Sequence, residues 1–452
     1  MVRCRKPCLK LPLSPVSRRL RALLIGLVVT SVILLASTWR PAIAPRPGHA
    51  TPAFAPALVQ RGANLAALGL CANCHTTRPN APFAGGFAIA TPFGTVHSTN
   101  ITPDRDTGIG AWTEPAFARA MLHGVARSGS HLYPAFPYDH YTRLQPDDVS
   151  ALYAYFMTRD PIRAPAVPND LVFPLGFRPL LAGWKLLFLD EEKVVPQPAQ
   201  SLAWNRGAYI AQALGHCTAC HSPRNTLGAV DTKRFLAGGE AEGWYAPALN
   251  RASPSPIAWN QDSMTAYLRS GIAPAHAMAG GPMQAVTASL AQADPADVRA
   301  LAGFIVAQMG QPAPAIEARA RAAASHPVVL PPAPAGDTPV ALQLQLGRRV
   351  YEDACARCHA SGRTAGSGGA LQLPAAIAVY DPDPRSLIRI VRDGIAPGPF
   401  EPGRWMPGFA GILDHTQITA LAAYLRHGAA RQPPWPDLAE QVAKAEKEQA
   451  KQ

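Results

Sequence analysis

Three pentapeptides of one pattern organise this sequence. They read Cys71-Ala72-Asn73-Cys74-His75, Cys217-Thr218-Ala219-Cys220-His221 and Cys355-Ala356-Arg357-Cys358-His359. C-x-x-C-H is the attachment pattern of haem c, in which two thiols bind one haem edge and the adjacent imidazole ligates the iron. The sequence therefore predicts three covalently bound haem c groups. Their predicted thioether residues are Cys71, Cys74, Cys217, Cys220, Cys355 and Cys358, and their predicted axial ligands are His75, His221 and His359.

Two other kinds of site also use a C-x-x-C pair, namely a zinc knuckle and a thiol-redox centre. A structural zinc ion needs four ligands, whereas each motif offers two cysteines and one histidine. Neither alternative explains why further features recur around all three motifs. We therefore favour haem attachment.

Length and spacing predict a tandem array. The chain has 452 residues, and its motifs recur about every 140 residues, close to the length of one domain. Six of the eight cysteines lie in the motifs, so no disulfide framework is expected. The predicted segments are an N-terminal basic and apolar stretch at 1–50, haem-binding units at 51–160, 201–312 and 341–430, linkers at 161–200 and 313–340, and a charged tail at 431–452.

Each unit is predicted to begin and end with a helix. A glycine lies on each opening helix and an aromatic residue on each closing helix: Gly62 with Tyr155, Gly207 with Phe304, and Gly347 with Tyr424. The closing helices also repeat apolar residues at i, i+3 and i+7, which makes one apolar face. Because glycine lets two backbones approach closely, we expect each pair of helices to cross at these positions.

A second spacing that recurs in the three units predicts axial ligands for two of the haem irons. Gly124, Gly271 and Gly394 each end a further element, and the residues twelve positions later are Phe136, Met283 and Met406. A methionine thioether is a common partner of histidine on a cytochrome c iron. A single methionine is more often core filler, but the shared register favours ligation by Met283 and Met406.

The first haem needs another partner, because the phenyl ring of Phe136 cannot ligate iron. His140, four residues later, is the preferred candidate for the sixth ligand, and His131 is the second. Further options away from this loop are His123, His97 and Met121. The remaining possibility is an iron that is open or otherwise ligated.

The N-terminus predicts export. Seven Lys or Arg residues lie in the first 21 positions, and residues 22–39 then carry no charge. A basic flank before such a stretch stays in the cytoplasm while the chain crosses outward. The stretch is intermediate between a signal peptide and a transmembrane anchor. We favour an uncleaved anchor with Trp39 at the interface; a cleaved signal peptide is the alternative.

The formal charge of +12 is spread along the chain. Outside the N-terminus no basic run is interleaved with aromatic residues, which argues against a nucleic-acid partner. An acidic membrane surface or an acidic protein would suit this charge, as would a simple soluble role in the periplasm.

With these residues, the chain resembles the three-haem cytochrome c subunit of bacterial membrane-bound dehydrogenases over about residues 58–430. Besides the C-x-x-C-H motifs, the resemblance rests on six segments: Pro92-Phe93-Gly94-Thr95, Ser98-Thr99-Asn100-Ile101-Thr102-Pro103-Asp104, Tyr133-Pro134-Ala135-Phe136-Pro137-Tyr138, Gly238-Gly239, Gly243-Trp244-Tyr245-Ala246-Pro247, and Gly281-Pro282-Met283. In having phenylalanine at position 136, followed by Asp139-His140, the chain resembles the branch of this family that works with molybdenum hydroxylases such as nicotinate dehydrogenase.

The resemblance implies an all-α fold of three tandem class I cytochrome c domains, each around one covalent haem, behind an N-terminal membrane anchor. It implies an electron-transfer subunit on the periplasmic side of the bacterial inner membrane. Electrons would come from a catalytic subunit, with a molybdenum hydroxylase preferred to a flavin or quinoprotein enzyme. They would pass to quinone or a terminal oxidase.

Two other functions remain open at this point. One is a self-sufficient multihaem enzyme of the peroxidase type, which would need an open iron at the first haem. The other is a stand-alone electron carrier or haem sensor. No histidine clusters with carboxylates in a hydrolytic pattern, so no substrate-converting site is expected.

The segments between units also have readable compositions. Residues 161–200 hold the most apolar stretch outside the N-terminus, which is predicted either to lie on the membrane or to pack between the first two units. Residues 313–340 are rich in Pro and Ala and predict a semi-rigid spacer. The tail alternates Lys and Glu, which favours a solvated helix or disorder.

Overall fold

The structure is a computed structural model that describes residues 20–27, 29, 36, 38–48, 52–273, 275–325, 329–360, 371–398, 403 and 405–449. Residues 20–27 are helical. The predicted anchor at 22–39 lies partly outside the described residues. Within the described part of the chain, no helix has the length and apolarity needed to cross a membrane.

The first motif lies in a unit of five helices and a hairpin. Its elements are α1 (Pro56–Leu68), α2 (Cys71–His75), β1 (Ala88–Thr91), β2 (Gly94–His97), α3 (Glu114–His123), α4 (Tyr138–Tyr141) and α5 (Pro146–Met157). The linker that follows contributes β3 (Asp170–Leu171) and α6 (Leu180–Phe188). β1 and β2 pair antiparallel, and β3 pairs antiparallel with β2.

The second motif lies in a similar unit. Its elements are α7 (Leu202–Tyr209), which continues as a π-helix (Ile210–Leu214), α8 (Thr218–His221), β4 (Gly239–Ala241), β5 (Trp244–Ala246), α9 (Gln261–Ser270), β6 (Ile272–Ala273), β7 (Ala277–Met278), α10 (Pro282–Leu290) and α11 (Pro295–Gln308). Both strand pairs, β4 with β5 and β6 with β7, are antiparallel.

Among the described residues, the third unit consists of helices and turns, with isolated strand pairs at Ile395–Met406 and Ala410–Leu413. The helices and turns are α12 (Pro314–Ser325), α13 (Pro339–Val350), which continues as a π-helix (Tyr351–Cys355), α14 (Ala356–His359), two 3-10 turns (Leu373–Ala375 and Ile377–Val379), α15 (Arg385–Asp393), α16 (His415–Leu425), continued as a π-helix (Arg426–Ala430), and α17 (Leu438–Gln449).

The predicted helix crossings are confirmed in all three units. A Cβ atom on Gly62 would lie 2.0 Å from the carbonyl oxygen of Ala151 and 2.6 Å from Cβ of Tyr155, so only glycine fits where α1 crosses α5. The same crossing is formed by Gly207 with Ala300 and Phe304, and by Gly347 with Ala420 and Tyr424. Each C-x-x-C-H motif therefore follows a helix whose position is set by backbone contact.

The first two units share one hydrophobic core, whereas the third has its own. Leu65 and Leu152 of the first unit belong to the same buried cluster as Leu214 and Leu301 of the second. Polar contacts reinforce this junction, because Asn64 donates to Asp297 at 2.8 Å and the Tyr209 hydroxyl donates to Asp148 at 2.6 Å.

The third unit contacts the β4–β5 hairpin of the second through polar groups. Arg385 forms an ion pair with Glu240. The Ser386 hydroxyl donates to the carbonyl of Tyr245 at 2.8 Å, and Nε of Arg389 donates to the carbonyl of Gly243 at 3.0 Å. A small apolar cluster of Ile257, Ala320 and Ala375 also joins the two units, but it is much smaller than the core shared by the first two.

Three details differ from the sequence predictions. The short sheets were missed, because strands of two to four residues carry too little alternation to be recognised. The 313–340 spacer contains the ordered helix α12, with Ala320 and Ala323 buried. The tail forms a helix, which is one of its two predicted states, but α17 is not solvated on all sides, because Val442 and Ala445 pack into the third core.

Candidate haem-binding sites

Each motif histidine is fixed in the same way. The ring Nδ1 lies 2.6 Å from the carbonyl oxygen of Thr99 in His75, 2.7 Å from that of Pro247 in His221, and 2.9 Å from that of Leu371 in His359. A carbonyl can only accept, so Nδ1 carries the proton and donates. Nε2 is thereby left as the basic nitrogen, which is the arrangement found in imidazoles that ligate metals.

Burial also keeps these three imidazoles neutral. It lowers the pKa of His75, His221 and His359, and the hydrogen bond to the backbone carbonyl offsets only part of that effect. A neutral imidazole is the form that can donate a lone pair to iron.

The paired thiols are unlike those of a redox centre. Burial raises the pKa of Cys71 and Cys217 to about 12, and that of Cys74 and Cys355 to about 11. Redox-active C-x-x-C pairs instead have a lowered pKa that favours the thiolate. Among the described residues, no group of three or more His, Cys, Asp or Glu side chains is arranged to hold a metal ion.

The donor set therefore fits haem c. Each motif places two thiols on one short helical segment beside an imidazole whose Nδ1 is tethered and whose Nε2 is basic. When bound, haem supplies reversible one-electron chemistry at its iron. The chain contributes the covalent attachment and the orientation of the imidazole.

Met283 is the second residue of α10 and follows Gly281, whose φ of 52° and ψ of −136° suit glycine. A Cβ on Gly281 would lie 2.3 Å from the Trp244 ring, so the ring packs directly on this backbone. The Met283 side chain is half-buried. Its role as an axial ligand stays a prediction.

Met406 occupies a different position in its loop from Met283. In each unit the residue after the helix-ending glycine pairs with a later residue: Val125 with His131, Ile272 with Met278, and Ile395 with Met406. Phe136 and Met283 lie five residues after the paired residue of their unit, whereas Met406 is itself the paired residue. The twelve-residue spacing is shared in sequence but not in strand pairing, because the third loop is longer before it returns.

His140 contacts the second motif. Its Nδ1 lies 2.9 Å from a carboxylate oxygen of Asp139, and its Nε2 lies 2.7 Å from the hydroxyl of Thr218 between Cys217 and Cys220. Both ring nitrogens are engaged in hydrogen bonds, which counts against His140 as the sixth ligand of the first haem. That assignment stays a prediction.

Three of the other four candidates for this ligand are engaged elsewhere or packed in the core, whereas the buried Nδ1 of His97 has no hydrogen-bond partner among the described residues. His131 Nε2 lies 2.8 Å from the carbonyl of Thr38, and its Nδ1 lies 3.1 Å from Nζ of Lys185. His123 pairs with Glu191 at the surface, His97 lies on β2, and Met121 is buried in the core. Phe136 packs against Tyr141, with ring centroids 5.3 Å apart.

Sequence reasoning missed that the first two sites adjoin. His216, directly before the second motif, has its ring 6.2 Å from that of His140, and burial lowers its pKa to about 4. The Tyr141 hydroxyl donates to the carbonyl of Gly69 at 3.3 Å. Sequence offers no signal for such contacts, because the residues are more than 70 positions apart.

Comparisons with known proteins agree with this chemistry. Residues 343–425 match the protein family described as cytochrome c oxidase, cbb3-type, subunit III. The chain is 42% identical to one of the subunits of nicotinate dehydrogenase from Pseudomonas putida, over 91% of this chain and 34% of that protein. It therefore spans about a third of that relative.

Two further relatives are covered over most of their length. Identity is 38% with the fructose dehydrogenase cytochrome subunit of Gluconobacter japonicus, over 74% of this chain and 70% of that one. It is 36% with the gluconate 2-dehydrogenase cytochrome c subunit of Pantoea cypripedii, over 82% of this chain and 85% of that one. With more than 30% identity over more than two thirds of both relatives, the chain belongs to the family of dehydrogenase cytochrome c subunits, which carry covalent haem c.

Proposed function

We propose that this chain is a three-haem electron-transfer subunit of a dehydrogenase complex, with one class I cytochrome c domain around each C-x-x-C-H motif. The observation that carries the proposal is the threefold tether of Nδ1 to a backbone carbonyl. Three equivalent imidazoles with paired thiols support three haems, ligated by His75, His221 and His359.

The proposed electron donor is a catalytic subunit of the molybdenum hydroxylase type. Identity to a protein named as part of nicotinate dehydrogenase supports this choice, as does Phe136 followed by Asp139-His140. The proposed acceptor is quinone or a terminal oxidase. The chain itself would carry electrons and convert no substrate.

The proposed location is the periplasmic side of the bacterial inner membrane, held by residues 22–39. Support comes from the basic N-terminus, the uncharged stretch that follows it, and the exposure of its described apolar side chains, such as Leu23 and Ile25. Covalent haem attachment outside the cytoplasm suits this location.

The haem number can be tested by intact mass and haem-stained denaturing gels. We expect the mature chain to carry three haem additions, and Cys355→Ala with Cys358→Ala to carry two. Purification of the native complex should also recover a large redox protein in constant ratio. A mature wild-type chain with two haems, or one that purifies alone, would refute the proposal.

A second candidate function is suggested by the first haem. Phe136 occupies the position that corresponds in sequence to Met283 and Met406. Both ring nitrogens of His140 and of His131 are engaged in hydrogen bonds. An open iron here would support a peroxidase-like activity. Low-temperature EPR separates the cases: a high-spin signal that binds cyanide indicates an open iron, whereas a bis-His low-spin signal that disappears in His140→Ala indicates ligation by His140.

A further inference from the structure

Helix α6 in the first linker is oriented with its lysine inward and three of its four leucines outward. Lys185 is only 9% exposed, whereas the neighbouring Leu186 and Leu187 are 90% and 70% exposed. Leu180 is also exposed, and Gly183 faces open space, with no atom near its missing side chain. In a helix at a water-facing surface the opposite orientation is expected, because lysine is rarely buried and leucine is usually inside.

The buried lysine has specific partners that fix this orientation. Nζ of Lys185 donates to the carbonyls of His123 at 2.6 Å and Gly124 at 2.7 Å, where α3 ends. It also donates to Nδ1 of His131 at 3.1 Å. Rotating α6 to bury its leucines would break all three hydrogen bonds and leave the carbonyls at the end of α3 without this donor.

The apolar surface extends beyond the helix. Phe173 is 96% exposed, and Val172 and Phe177 are also exposed. We call residues 172–187 the linker apolar face. Soluble monomers rarely present so many large apolar side chains in one region, and such regions mark a binding surface for protein or lipid.

The linker apolar face lies beside the end of the N-terminal apolar stretch. His131 Nε2 donates to the carbonyl of Thr38 at 2.8 Å, and Arg178 donates to the carbonyl of His131 at 2.8 Å. His131 therefore contacts residue 38 on one side and the linker on the other. Trp39, adjacent to Thr38, is 70% exposed, as expected of an interfacial aromatic residue.

We propose that the linker apolar face inserts into the surface of a lipid bilayer, so that the chain contacts the membrane at a second place besides its N-terminus. Lipid hydrocarbon would cover two neighbouring apolar surfaces, namely the exposed leucines of α6 and the uncharged stretch at 22–39. This inference rests on the proposed function in one respect, because it takes from there that the chain meets the membrane on the periplasmic side.

The test uses the full-length haem-loaded protein in phosphatidylethanolamine–phosphatidylglycerol vesicles that contain a phospholipid with a photoreactive diazirine on its acyl chain. After illumination, mass spectrometry quantifies labelled peptides. Peptides covering 172–187 should be labelled at least about fivefold more than the peptide carrying Leu202, because only segments at the acyl boundary meet the probe. Leu202 is a matched control: it is 90% exposed, like Leu186, but lies outside the face.

Leu186→Ser with Leu187→Ser should reduce labelling of the linker, whereas Leu202→Ser should leave it unchanged. Equal labelling of the linker and the Leu202 peptide would overturn the proposal. So would labelling that disappears when the catalytic subunit is added, because the face would then bind protein. Haem content and reducibility, measured in the same vesicles, report separately on the proposed electron-transfer function.

Discussion

A single hydrogen bond, from Nδ1 of the motif histidine to a backbone carbonyl, recurs at His75, His221 and His359. The histidines themselves could be predicted from the C-x-x-C-H pattern. Their carbonyl partners could not, since any residue carries a carbonyl and the loops that provide it differ in length and sequence. The contact of His140 with Thr218 was unpredictable for the same reason, as it joins two different units.

Methionine ligation is the prediction that belongs to this scale. Met283→Ala and Met406→Ala are each expected to lower the reduction potential of their haem, on the order of 100 mV, because the axial ligand is a principal determinant of haem potential. Each variant should also lose its share of the weak near-infrared sulfur-to-iron band.

Met278→Ala is the matched control for Met283, because Met278 is also half-buried and lies five residues earlier, in β7. It should retain the band and the potential. If Met278→Ala loses the band while Met283→Ala keeps it, the ligand has been assigned to the wrong methionine.

Among the elements, the crossings of opening and closing helices could be predicted best, because a glycine and an aromatic residue recur at fixed positions in every unit. The hairpins and the orientation of α6 could not. Periodicity identifies an apolar face on Leu180–Phe188, but it does not reveal whether that face is inside. The structure decides this through Lys185, whose partners lie more than 50 residues earlier in the chain.

Glycine substitutions test the crossing directly. Gly207→Ala should destabilise the protein by about 3 kcal/mol or more, because the new Cβ would lie 2.1 Å from the carbonyl oxygen of Ala300 and the backbones must separate. Thermal unfolding of the haem-loaded protein measures the loss.

Gly183→Ala provides the control on α6, where no atom lies within 4 Å of the added methyl group. It should be neutral or stabilising by about 0.5–1 kcal/mol, because alanine is the better helix former. Similar melting temperatures for the two variants would contradict the close crossing.

At the scale of the whole molecule, the array of three motifs was evident from their spacing, but the unequal junctions were not. The first two units share one large core, while the third meets the second through polar contacts with the β4–β5 hairpin and a small apolar cluster around Ile257. Sequence could not show this difference, because each unit contains similar numbers of apolar residues.

Calorimetry should therefore resolve two unfolding transitions, one for the first two units together and one for the third. A large shared core couples its parts, whereas a small interface with few apolar residues allows separate unfolding. Glu240→Gln with Ser386→Ala should shift the third-unit transition by a few degrees and leave the other in place. A single transition in wild type, or equal shifts of both, would contradict this division.

The shared core also constrains how such a chain can evolve. Loss of the third unit would uncover polar groups on the β4–β5 hairpin and only a small apolar area around Ile257, so a shortened gene would still encode a stable protein. Loss of the first unit would expose Leu214 of the second, which packs beside Gly69, and would open the large shared core to water. Gene fusion or truncation should therefore be tolerated at the boundary after residue 312 and selected against near residue 200, where natural variation in domain number would be rare.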